Sequence, residues 1–318
     1  MKQIKSMKKQ IGNKKVGLVL GSGSAKGLSH IGVIKLLEEM DIKIDYIAGS
    51  SIGAMIGGAY AAGVSINEIE DIALKTDLAS SVKYFLPTIS KSGLISGLKV
   101  KEFLKDVVGD INIEDLKIPF AATATDILTG QEIDFKNGNL VEAIRASISV
   151  PIIFQPVIHN DQILVDGGLA NPLPINVACE MGADFIIAVN VMPSLDKTNT
   201  GIRKENNNRQ VLALASEMKA AMREKLEWLN IDYKWIKKLL ANKGKYNIPG
   251  LKKVLNQSVY ITQRKLARLS IELYKPDILI EPDIPFAGFF DFYKAKEITD
   301  IGYKAAQKAF YENKLLTK

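Results

Sequence analysis

Two apolar runs near the start of the chain, VGLVL and IDYIAG, each stop at a glycine-bearing turn and hand over to a stretch with helical spacing. The first turn is GSGSAKG, residues 21–27, and the second is Gly49-Ser50-Ser51-Ile52-Gly53. A strand–loop–helix–strand–turn–helix order leaves few folds open. It predicts an α/β domain whose mainly parallel central sheet carries helices on both faces, a three-layer α/β/α arrangement. In GLSHIGVIKLLEEM, Ile31, Ile34, Leu36 and Leu37 share a face, and the small side chains of SIGAMIGGAYAAGV suit close contact with a sheet. Further strands are expected at FAATATDI, QEIDF, QILVDGG, FIIAVNV and DILIEPD, with Asn160-Asp161 as the hairpin turn between QPVIH and QILVD.

The second turn fits G-x-S-x-G between Gly49 and Gly53, the sharp strand-to-helix elbow that presents a serine as nucleophile. Ser51 would then need a base, and the chain holds only two histidines, His30 and His159. His30 falls in the first turns of the helix after the glycine loop, on a helix that must also bury Ile31 and Ile34, which favours a packed or hydrogen-bonded role. His159 adjoins the hairpin turn, about 16 Å along a strand from Asp166. Asp166 ends an apolar strand and precedes Gly167 and Gly168, so it is a candidate base; Asp-Gly-Gly can also be a turn and nothing more. A carboxylate near its ordinary pKa is a weak base for a serine hydroxyl, and a dry pocket would strengthen it.

In the first turn, Gly21, Gly23 and Gly27 let main-chain N–H groups crowd toward one point at a helix start, an anion cradle completed by Ser22, Ser24, Ala25 and Lys26. A nucleotide is the wrong anion for it. G-x-G-x-x-G would need glycine where Lys26 stands, a phosphate-binding Walker loop would place its lysine after the last glycine, and the second strand lacks the acid that holds a ribose. An oxyanion hole beside Ser51 fits instead, because both turns can open at the carboxyl edge of one sheet.

Charge is distributed unevenly. Residues 1–15 carry +6 and residues 192–275 carry +11, so the net +7 leaves the remainder at −10. The basic tail, and a basic helical insertion or cap spanning 195–270 within a single domain of 16–318, suggest an anionic membrane surface as partner; solubilising lysines are the plainer account. Within the insertion, Val211, Leu214, Met218, Met222, Leu226 and Leu229 form a stripe, with Trp228, Tyr233 and Trp235 close by. Hydrophobic content of 47% with 24% charge excludes a disordered chain. One cysteine, Cys179, excludes a disulfide framework and fits a reducing compartment, and the basic start lacks an export signal's apolar run and cleavage site. The expected location is cytoplasmic, in solution or peripheral at the inner face of the membrane.

Taken together, GSGSAKGLSHIGVIKLLEE, GSSIG, ATDILTGQEIDF, AIRASISVPIIFQPV, VDGGLANPLPI, GADFIIAVNV, DILIEPDI and FFDFYKA resemble the patatin-like phospholipases, especially bacterial members related to the catalytic region of neuropathy target esterase. The resemblance spans nearly the whole body. It implies a serine lipid acyl hydrolase in which Ser51 and Asp166 form a two-residue dyad without histidine, residues 21–27 supply the oxyanion hole, and Asp126 is structural. It also implies a phospholipid or lysophospholipid substrate, and no metal, organic cofactor or nucleic acid. The chain departs from the family where Ser22 and Ser24 replace glycines and Lys26 replaces arginine; Lys26 could meet a lipid phosphate or a nearby carboxylate. An acyltransferase using the same serine and a non-catalytic lipid-binding adaptor are the alternatives.

Overall fold

The computed structural model describes residues 11–75, 96–151, 153–192 and 251–312. In chain order it holds β1 (Val16–Leu20), a 3-10 segment (Ser24–Leu28), α1 (Ser29–Glu39), β2 (Tyr46–Ser50), α2 (Ile52–Ala61), α3 (Ile66–Lys75) and α4 (Leu98–Val108). There follow β3 (Phe120–Asp126), β4 (Glu132–Phe135), α5 (Leu140–Ser147), β5 (Val157–His159), β6 (Gln162–Asp166), α6 (Ile175–Glu180), β7 (Phe185–Val189), α7 (Leu251–Tyr274), β8 (Ile278–Ile280) and α8 (Ala295–Glu312). The strands make one sheet in the order β5-β6-β3-β2-β1-β7-β8, with β4 also paired to β3. Pairings along β3-β2-β1-β7-β8 are parallel, whereas β3-β4, β3-β6 and β5-β6 are antiparallel.

Both faces of the sheet are covered, which is why VGLVL reads as an unbroken apolar run and not as an alternation. On one face Leu18, Leu20, Ile47 and Phe120 pack with Ile31, Ile34 and Leu37 of α1, Ile56 of α2, Ile144 of α5, and Ile298 and Phe310 of α8. On the other, Val19, Ala48, Ala121 and Ala188 meet Ile175, Val177 and Ala178 of α6 and Ala267 of α7. Successive residues of each strand thus serve opposite cores, the two-residue period of an extended chain. The expected α/β/α layering is present.

Strand β3 sets the geometry that matters for chemistry. Ser50, the last residue of β2, stands opposite Thr123, and Asp166, the last of β6, stands opposite Ala124. Two chain ends far apart in sequence therefore meet one residue apart along a single strand. The hairpin between β5 and β6 turns at Asn160-Asp161, both at positive φ (47° and 61°), as two-residue hairpins require.

Two local features have simple causes. The stretch after the glycine loop begins as a 3-10 segment and becomes α-helical only at Ser29, whose hydroxyl donates to Lys26 O at 2.7 Å. Helix α7 starts at Leu251, directly after Pro249 and Gly250, and runs on because LKKVLNQSVY contains no glycine or proline to stop it.

The chain divides into two compact units, Met1–Pro193 with Ile261–Lys318, and Ser194–Tyr260. The apolar stripe 211–229, Trp228, Tyr233 and Trp235 lie outside the described residues, as do residues 1–10 of the basic tail. Among the described residues, no helix is long and apolar enough to cross a membrane.

Candidate active site

Ser51 sits between β2 and α2 at φ 55°, ψ −123°, a left-handed conformation that costs a non-glycine residue about 1–2 kcal/mol. The packing around it holds the strain. Gly53 lies so close to β1 that a Cβ there would come within 2.0 Å of Leu20 O and 3.0 Å of Gly21 O, and Gly49 lies against the Ala54 main chain. Ser147 at the end of α5 accepts the Ser51 N–H at 2.9 Å, while Ala54 and Met55 donate to Ser51 O. Every main-chain polar group of Ser51 is thereby used to fix the elbow, and the hydroxyl is left for a different partner.

That partner is Asp166. Ser51 Oγ donates to Asp166 Oδ2 at 2.5 Å, and Gly168 N donates to Oδ1 at 2.8 Å. The carboxylate is 2% exposed and Ser51 is 6% exposed. Burial pushes the Asp166 carboxyl up to about 6, against the downward pull of the hydrogen bonds from Ser51 and Gly168. This brings an ordinarily weak base close to neutrality. Its backbone is held by Ser149 O, which accepts the Asp166 N–H at 3.0 Å, and by Thr125 Oγ1, which donates to Asp166 O at 2.9 Å. Gly167 follows with no room for a side chain: a Cβ would lie 2.1 Å from Thr123 O.

Behind Ser149 stands Arg145, 4% exposed, whose Nη1 donates to Ser149 Oγ at 2.6 Å and whose Nη2 donates to Ser96 O and Gln155 O. Burial lowers its pKa to about 10, with Glu142 opposing, so it remains charged at neutral pH. Carbonyls and a hydroxyl solvate the guanidinium, and in return it stiffens the loop that carries the Asp166 main-chain contact.

The glycine loop reaches the elbow directly. A Cβ on Gly27 would come within 2.1 Å of the Ile52 side chain, the residue after Ser51. Gly21 N donates to Val189 O at 3.1 Å and Ser22 N to Pro172 O at 2.8 Å, while Gly23 lies against Val191. Ser24 has φ 53°; its Oγ donates to Phe289 O at 2.5 Å, and the Ala25 N–H donates to the same carbonyl at 3.4 Å. A segment late in the chain thus straps the loop. Lys26 accepts from Ser29 through its carbonyl.

Neither histidine is placed to serve as base. His30 is fully buried and its Nε2–H donates to Gly21 O at 2.8 Å, tying α1 to the glycine loop. Burial lowers its pKa to about 4, so it is neutral at pH 7. His159 lies at the hairpin turn, beside Asn160 and edge-on to Phe135. Asp126 is structural: its carboxylate accepts from Leu128 N and from Thr129 Oγ1 and shapes the turn into β4. Sequence reasoning did not single out Ser147, Arg145 or Phe289, although AIRASISVP and FFDFYKA contain them.

A sequence profile described as patatin-like phospholipase matches residues 18–179. An uncharacterized NTE family protein of Mycobacterium bovis is 32% identical over 329 residues, covering 93% of this chain and 91% of that protein. The neuropathy target esterase of Drosophila melanogaster is 34% identical over 194 residues, 58% of this chain and 14% of that much longer protein. Patatin-like phospholipase domain-containing protein 6 of Mus musculus is 29% identical over 301 residues, 93% of this chain and 20% of its own length. With a profile matched over just over half of the chain and a relative aligned over nearly its full length, the chain belongs to the patatin-like phospholipase family, among the NTE proteins.

Proposed function

We propose that the protein is a serine lipid acyl hydrolase acting on phospholipids or lysophospholipids. The observation that carries the reading is the 2.5 Å contact between Ser51 Oγ and a buried carboxylate whose pKa is raised to about 6. Asp166 Oδ2 takes the hydroxyl proton as Ser51 Oγ attacks the ester carbonyl carbon, and the alcohol departs with that proton. Water then adds to the acyl-serine with Asp166 as base, and the fatty acid is released. An acyl-enzyme route of this kind calls for neither metal nor organic cofactor.

The oxyanion of each tetrahedral intermediate is assigned to the amides of Gly23 and Ser24. Within residues 21–25 the N–H groups of Gly21, Ser22 and Ala25 are already donated, whereas those of Gly23 and Ser24 have no main-chain acceptor among the described residues. One such donor is worth roughly 3–4 kcal/mol of transition-state stabilisation. The basic residues of 1–15 and 195–270 are assigned the role of drawing the protein to anionic lipid, at about 1 kcal/mol per Lys or Arg near the surface.

The test is fatty-acid release from a panel of phospholipids and lysophospholipids, with labelling of the nucleophile by an active-site phosphonate. Wild type should release fatty acid and be labelled at Ser51, and Ser51→Ala should do neither. Labelling without hydrolysis but with acyl transfer to an added alcohol would reassign the reaction to acyl transfer. A wild-type protein that is neither labelled nor active would overturn the enzymatic reading.

A further inference from the structure

One peptide group beside Asp166 is held on both of its edges. Gly168 N donates to Asp166 Oδ1 at 2.8 Å, and the carbonyl of the same peptide unit, Gly167 O, accepts from Asn171 N at 2.8 Å and from Ala170 N at 3.2 Å. A peptide group is planar, so whatever fixes Asn171 helps to fix the amide that faces the carboxylate. Asn171 is 7% exposed, and its Nδ2 donates to Glu132 Oε1 at 2.6 Å and to Asn176 Oδ1 at 2.6 Å, which uses both amide hydrogens. An ionised carboxylate can only accept, and this sets which way the Asn171 amide turns.

The sheet places Glu132 for this contact. In the β3–β4 pairing it stands opposite Thr125, and cross-strand partners share a face. Thr125 Oγ1 holds the same turn at two points, donating to Asp166 O at 2.9 Å and accepting from Ala170 N at 3.1 Å. Neighbouring side chains of β3 and β4 thus grip the turn from Asp166 to Asn171 at its start and at its end. The charged groups around Glu132 are Asp134 on the same face of β4, Lys136 at 3.8 Å from Asp134, and Glu180 of α6 at 2.9 Å from Lys136. Burial and then the Glu132 charge push the Asp134 carboxyl up to about 7, against the pull of Lys136.

We propose that Glu132 is a positioning residue for Asp166, acting through Asn171 and the Gly167–Gly168 peptide to keep the Gly168 N–H on Asp166 Oδ1. The inference rests on the Ser51–Asp166 reading above. Its chemical consequence follows from the direction of that bond. An N–H donated to the carboxylate favours the ionised form and pulls the Asp166 pKa down, whereas burial pushes it up. Without the anchor the peptide is free to turn, the carboxyl takes its proton at higher pH, and less ionised base remains at neutrality.

The test uses the full chain and a soluble chromogenic ester. Glu132→Ala and Asn171→Ala should each lower kcat about three- to tenfold, the contribution of one hydrogen bond, with KM little changed. In both, the acid limb of kcat/KM should move upward by about half a pH unit or more. Glu132→Asp, which keeps the charge but draws the acceptor back, should move the limb the same way and supplies the reading if truncation unfolds the chain. Glu132→Gln removes the charge and keeps an accepting oxygen for Asn171, and its N–H can meet Asp134 Oδ1, which is buried without a partner among the described residues. No charged side chain contributes to the ionisation of Asp166, so Glu132→Gln should leave kcat and the limb where wild type has them. A limb that stays in place in the folded alanine and aspartate variants, whatever their loss of stability, overturns the proposal. So does a limb that shifts as far in Glu132→Gln as in Glu132→Ala. The two failures separate cleanly: near-wild-type turnover in Asp166→Asn removes the base itself, whereas an inert Asp166→Asn beside unmoved limbs removes the anchor alone.

Discussion

His30 and Asp166 stand on opposite sides of the elbow, one at the start of α1 and one at the end of β6, and burial acts on both. On His30 it disfavours the imidazolium and carries the pKa down to about 4, which makes the ring a poorer base. On Asp166 it disfavours the carboxylate and carries the pKa up to about 6, which makes the group a better one. The same desolvation thus makes the histidine a poorer proton acceptor and the aspartate a better one, which is what the proposed dyad requires. A serine esterase that excludes water from its base gains more from an acid that is neutral when protonated than from an imidazole that is charged when protonated. The histidine is not idle; its Nε2–H holds the Gly21 carbonyl and with it the glycine loop.

The largest effect expected is on Asp166. Asp166→Asn should lower kcat by about a thousandfold or more, while His30→Gln, which keeps an N–H to reach Gly21 O, should cost less than about tenfold. An inert His30→Gln beside an active Asp166→Asn would invert the assignment. Stability offers a second contrast. Asp166, raised in the fold from 3.8, contributes stability that is whole below about pH 4 and lost as the pH climbs through about 6. His30, lowered from 6.5, contributes stability that is whole above that pH and lost as the pH falls through about 4. Asp166→Asn should therefore be more stable than wild type at pH 8, by on the order of 3 kcal/mol, and should lose that advantage near pH 4 in denaturant unfolding.

The pH profile sharpens the contrast further. The acid limb of kcat/KM should lie near pH 6, where Asp166 ionises, and His30→Gln should leave it in place. A limb that shifts with His30→Gln would mean that the imidazole titrates in catalysis. The smallest expected effect concerns the strap: Ser24→Ala removes the bond to Phe289 O and should lower kcat about three- to tenfold with little change in KM, measured on a soluble ester. An equal loss in KM would move Ser24 from the oxyanion loop to substrate binding.

Much of this was legible in the chain because it is local. Apolar runs ended by glycines marked β1 and β2, and the crossover rule turned their order into a parallel sheet with helices on both faces. The elbow announced Ser51 through its own five residues. Asp166 was readable as a strand end and as a candidate base, yet its pairing with Ser51 came from family resemblance, since the contact spans 115 positions. What stayed hidden depends on longer reach or on main-chain acceptors. The His30 bond ends on a carbonyl, which every residue owns, and Ser24 meets Phe289 across 265 positions.

Strand β3 fixes the spacing of Ser51 and Asp166 as teeth fix the spacing of a gear, by counting and not by affinity. Substitutions within Phe120–Asp126 that keep size and polarity should drift freely through the lineage. A single inserted or deleted residue there would turn the carboxyl group to the opposite face of the sheet, so the permitted changes in this stretch are of kind and never of length.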